Sequence, residues 1–123
     1  MNLIGCSPEF AAFDSDGPNR TLEIRCTFRK KIEPYDLLWQ FPYNNQKRLI
    51  VDMDGAVMAP FKHEIIDEYH NGEAHSVSIL KVPLLNSSYY TAYSCMSLTD
   101  SCSKTIKVNL KERGNLKSIL YLN

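Results

Sequence analysis

Histidines, cysteines and tyrosines are the residues of this chain best able to do chemistry. The stretch His63-Glu64-Ile65-Ile66-Asp67 begins like the zinc-protease motif H-E-x-x-H. In that motif two histidines one helical turn apart grip a metal beside a general base. Here the fifth residue is Asp67 rather than histidine. On a helix, His63, Asp67 and His70 would still share a face at i, i+4 and i+7, a pattern able to hold a divalent metal. The competing reading is a solvated polar connection with two surface histidines, and we adopt it: no metal and no cofactor are expected. The sequence has no G-x-S-x-G, no phosphate-cradling glycine loop and no evident nucleophile–base pair. The expectation is a chain without catalytic residues.

The cysteines are Cys6, Cys26, Cys95 and Cys102. None stands in C-x-x-C, which leaves zinc-ribbon and thioredoxin-type readings without their spacing. An even number of widely separated cysteines suits disulfides in an oxidising compartment. Two sequons agree with that compartment, Asn19-Arg20-Thr21 and Asn86-Ser87-Ser88, so Asn19 and Asn86 are glycosylation candidates. With 14 basic and 14 acidic residues, no net charge draws the chain to nucleic acid or acidic lipid. No apolar run reaches the roughly 18 residues of a membrane helix. The first 19 residues lack the basic and apolar regions of a signal peptide. We therefore expect an extracellular fragment, attached to a membrane only through segments absent from this sequence.

The elements that must position these residues have period two. Leu22-Glu23-Ile24-Arg25-Cys26-Thr27-Phe28 puts Leu22, Ile24, Cys26 and Phe28 on one face, as a half-buried antiparallel strand does. The run 35–41 repeats the pattern with Leu37, Trp39 and Phe41. Further strands are expected in 47–53, 75–85, 90–98, 104–110 and 116–122, with pairing in 75–85 ending near Pro83. Residues 59–75 are ambiguous. Ile65, Ile66 and Tyr69 make a helical stripe, but one strand and a loop between sheets fit equally. The fold class expected is all-β, a sandwich of two antiparallel sheets. A single domain spans 1–123, with 1–18 as an N-terminal segment and 19–123 as the sandwich.

Trp39 follows Cys26 by 13 residues, and Tyr93 precedes Cys95 by two. This Cys…Trp…Tyr-x-Cys set is the immunoglobulin pattern. In it a Cys26–Cys95 bond joins the sheets, the Trp39 indole packs on the bond, and the Tyr93 hydroxyl ties to a nearby backbone group. Cys6 and Cys102 are then placed for a second bridge, with a free thiol pair or bonds to other parts of the protein as alternatives.

The stretches 22–28, 37–42, 78–95 and 117–123 resemble the first extracellular immunoglobulin domain of the platelet-derived and vascular endothelial growth factor receptor tyrosine kinases. The family's Trp-x-x-Pro on the third strand is matched by Trp39 and Pro42, and its closing strand by Ser118 to Asn123. The usual Asp-x-Gly before Tyr-x-Cys is missing: Tyr89 and Thr91 stand there. The resemblance implies a receptor ectodomain that meets a protein ligand, a growth factor of the cystine-knot type. An immunoglobulin domain of an adhesion protein or secreted decoy is the alternative. If 116–122 is the last strand, 98–116 forms a long hairpin carrying Lys104, Lys107, Lys111 and Arg113. Loops on rigid sandwiches commonly bind partners, so these four are interface candidates. Tyr43, Tyr89 and Tyr90 are weaker candidates, with ordinary packing on a sheet face favoured for them.

Overall fold

A computed structural model describes residues 8–14, 20–99 and 101–108, together with the backbone of 119–122. Nine strands are described: β1 (Glu9–Asp14), β2 (Thr21–Phe28), β3 (Leu37–Tyr43), β4 (Gln46–Val51), β5 (Lys62–His70), β6 (Glu73–Pro83), β7 (Ala92–Ser97), β8 (Cys102–Val108) and β9 (Ile119–Leu122). They form two antiparallel sheets, β1-β2-β6-β5 and β4-β3-β7-β8-β9. The order of the first sheet is that of an immunoglobulin-like sandwich, with β4 added beside β3 as in its larger variants.

Alternation builds the core. Along β2, Leu22, Ile24, Cys26 and Phe28 are all 0 % exposed, while the residues between them are half-buried. Facing them from the second sheet are Leu37, Trp39, Tyr93, Cys95, Ile106 and Val108. Cys26 and Cys95 are bonded, so the two sheets are joined face to face at the centre.

Two expectations are corrected and one ambiguity is resolved. Residues 9–14 do not lie ahead of the sandwich; they form β1, paired with β2 from Glu9–Thr27 to Asp14–Leu22. Phe10 and Ala12 fall on the inward phase, and Phe10 packs 6.1 Å from Trp39. The ambiguous stretch is not a helix: as the other reading had it, a connection between the sheets leads into one strand, β5, which is hairpinned to β6. Its turn decides this. Asn71 and Gly72 have φ of +54° and +83°, as a two-residue hairpin loop matched to strand twist requires. Asn44 and Asn45 do the same between β3 and β4. Finally, the strand expected at 104–110 is β8, but it lies within the sheet and not in a hairpin carried beyond it. It pairs with β7 from Ala92–Lys107 to Ser97–Cys102, and β9 adds outside it. The short turn after Ser97 favours hairpin pairing with the nearest following strand.

Pairing between β2 and β6 does end at Pro83, opposite Thr21. A proline has no N–H to extend a ladder.

The inter-sheet bond spans a sequence separation of 69. Replacing Cys26 and Cys95 together by alanine is expected to lower the unfolding free energy by about 4 kcal/mol. Urea denaturation of the double variant checks this, read as a lower midpoint with a steeper slope, because the unfolded chain without its cross-link exposes more surface.

Candidate functional site

The residues singled out by the immunoglobulin pattern converge as expected. Trp39 lies opposite Cys95 in the β3–β7 register and is fully buried. Its Nε1–H donates across the sandwich to Ser78 Oγ on β6, at 2.7 Å. The Tyr93 hydroxyl donates to the carbonyl of Tyr89 at 2.6 Å. That bond holds the 3₁₀ turn Ser87–Tyr89 against β7. Burial, and secondarily the neighbouring Tyr89, pushes the Tyr93 hydroxyl far above its ordinary pKa, so it stays a donor.

Ser78 also lies 2.6 Å from His63 Nε2. An indole N–H can only donate. Every polar hydrogen here finds an acceptor if Ser78 takes the Trp39 proton and gives its own to His63. The ring is then neutral, with its hydrogen on Nδ1. Burial agrees, lowering the His63 pKa from 6.5 to about 4. So His63 belongs to a core relay, Trp39–Ser78–His63, rather than to a metal site. On a strand, His63 and His70 fall on opposite faces. His70 instead stacks on His75 with ring centroids 4.5 Å apart and planes 20° apart. Nitrogen lone pairs in near-parallel planes do not converge on one ion. Among the described residues no three His, Cys, Asp or Glu side chains gather to hold a metal.

Asp36 is a second buried polar centre that sequence reasoning passed over. Its carboxylate accepts from Ser97 Oγ at 2.8 Å and from Thr99 N at 2.5 Å. Its carbonyl accepts from Leu98 N at 2.9 Å. Asp36 therefore clamps the β7–β8 turn to the base of β3. Burial acts to raise its pKa, but the bonds from Thr99 and Ser97, helped by Lys30, outweigh it and hold the pKa below 3.8.

The surface candidates divide. Asn86 is exposed, and its Oδ1 accepts from both the N–H and the hydroxyl of Ser88. The Nδ2 amide, which would carry a glycan, stands outside that ring of bonds. Lys107 is exposed on β8 and Lys104 is half-buried, so both sit on a strand rather than a loop. Cys102 is disulfide-bonded; Cys6, Asn19, Lys111 and Arg113 lie outside the described residues. Tyr89 and Tyr90 pack against the core, and Tyr43 is 44 % exposed.

One concavity was not foreseen. Where β3 ends, Phe41, Phe61, Tyr89 and Tyr93 form a continuous aromatic cluster. Centroid separations are 5.5 Å for Phe41–Phe61, 5.7 Å for Phe61–Tyr89 and 6.0 Å for Phe41–Tyr93. The cluster opens into a pocket of about 290 Å³, with exposed Tyr43, Arg48 and Ser88 around it. The Arg48 guanidinium lies 5.2 Å from the centre of the Tyr43 ring. A hint existed in the aromatic runs 41–43 and 89–93, but Phe61 and Arg48 join them only through the fold.

Compared with known proteins, the chain matches no family model, no curated protein and no solved structure.

The two buried titrating groups act in separate pH windows. A depressed histidine pKa contributes stability above pH 6.5 that is lost as pH falls through about 4. The loss is on the order of 3 kcal/mol. Asp36, also depressed, loses its contribution only below 3.8. Urea unfolding between pH 7 and pH 4 is expected to show falling stability, with a flatter slope in His63→Asn. Asp36→Ala at pH 7 should cost roughly 2 kcal/mol for its lost charge-assisted bonds.

Proposed function

We propose that the chain is a non-catalytic extracellular module of a cell-surface receptor, one that helps present or position a surface for a protein ligand. The observation that carries this reading is the Cys26–Cys95 bond, sealed at 0 % exposure between the sheets. Such bonds form and persist in oxidising compartments. The exposed Asn86 sequon supports the same compartment. The growth-factor receptor reading rests on the resemblance of residues 22–28, 37–42, 78–95 and 117–123, and a cystine-knot growth factor is the ligand it implies. Lys107, exposed on the outer face of β8, offers positive charge to an acidic patch of that ligand.

Expression through a eukaryotic secretory pathway tests the reading. A non-reducing peptide map should link the peptides of Cys26 and Cys95. It should also show a glycan at Asn86 that Asn86→Gln removes. Binding of cystine-knot growth factors, measured against adhesion-type surface proteins, then separates the receptor from an adhesion module or decoy. Bare asparagine and free thiols in the secreted protein would defeat the extracellular reading.

A further inference from the structure

We propose that the aromatic pocket at the end of β3 binds an aromatic carboxylate, a single phenyl-sized ring with a carboxylate two or three bonds away. This proposal stands independently of the receptor reading. At about 290 Å³, the pocket sits at the lower bound of small-molecule sites, about 300 Å³. That volume accommodates one ring together with a short acid arm. Phe41 and Phe61 are 6 % and 4 % exposed and form the buried part of its lining, with Tyr89 half-buried beside them. Phe61 meets Phe41 and Tyr89 at 64° and 65°. The lining therefore offers both ring faces and ring edges, the two surfaces an added ring prefers to meet.

The charge of the ligand follows from Arg48. Among the described residues no carboxylate pairs with it; its contact is the Tyr43 ring. Stacking restrains the planar guanidinium and leaves its N–H fork available, which matches a carboxylate in bidentate fashion. Ser88 at the mouth already donates its hydroxyl to Asn86, the hydroxyls of Tyr43 and Tyr89 are neutral, and Arg48 is the one charged residue in the lining among the described residues. Arg48 is thus the donor available to an incoming anion, and its charge disfavours an amine. The required group is found both in a free aromatic acid and in the C-terminal phenylalanine of a peptide.

The test is an amide-resolved NMR titration of the whole chain. The probes are 3-phenylpropionate against 3-phenylpropanamide, and N-acetyl-Gly-Gly-Phe against its C-terminal amide. In at least one pair the acid is expected to shift the amide signals of Ala59, Phe61, Ser88 and Tyr89. It should bind about five- to ten-fold more tightly than its amide. Tighter binding of the small acid assigns the site to a metabolite-sized ligand, and tighter binding of the peptide assigns it to a chain terminus; both support the proposal. Arg48→Gln should abolish the preference for the acids. Because Arg48 is exposed, that variant should keep the parent's spectral fingerprint and thermal midpoint. The proposal is overturned if both acids leave the amides of Ala59, Phe61, Ser88 and Tyr89 unmoved, if each amide binds as well as its acid, or if Arg48→Gln retains the preference.

Discussion

The hydrogen bond from Trp39 to Ser78 is the constraint around which the sandwich closes. It runs from β3 in one sheet to β6 in the other, through a space otherwise filled by aliphatic groups and the Cys26–Cys95 bond. A buried indole N–H without an acceptor costs a substantial part of a domain's stability. The partner must therefore be small, polar and on the inward phase of the opposing strand. Ser78 meets all three conditions. Having accepted from the indole, it needs somewhere to send its own hydrogen, and His63 on the adjoining strand β5 receives it. A single tryptophan at the centre thus dictates residue types on two other strands.

The same accounting explains the ends of the sandwich. Each end carries a buried polar group that is hydrogen-bonded to a connection. At one, Asp36 gathers three donors from the β7–β8 turn. At the other, the Tyr93 hydroxyl fixes the turn before β7. Both strap a connection onto the rigid centre, so the position of a loop residue is set by core chemistry. The aromatic pocket inherits its shape this way, since Tyr89 is held in place by the bond it accepts from Tyr93.

Reading the sequence recovers the parts of this design that repeat locally. Leu22, Ile24, Cys26 and Phe28 declare a strand by alternation, and Trp39 and Tyr93 declare the sandwich by spacing. What escapes is set by partners distant in the chain. Ser76 and Ser78 sit inward while Val77 and Ile79, on the other face, are also buried. Burial on both faces blurs the alternation that would have marked the two serines as core. In β5 the stripe Ile65, Ile66 and Tyr69 mimics a helix, and only the Asn-Gly turn that follows resolves it. The pocket assembles residues 41–48, 58–61 and 88–89, three segments with no shared local signal. β8 and β9 are similar runs, and the register with β7 alone decides which lies inside.

The strand order leaves β5 at an open edge of its sheet. It is nine residues long, enough to template the addition of a foreign strand. Four of its residues are charged: Lys62, Glu64, Asp67 and Glu68. They lie on both faces, so a chain adding at either register would bring its own side chains against fixed charge. Glu68 is further tethered across the sheet to Arg25, at 3.7 Å. The strand that supplies the histidine of the central relay is thus also the one whose free edge most needs protection from self-association. Its composition serves the interior through His63 and Ile65 and colloidal solubility through the charges that alternate with them.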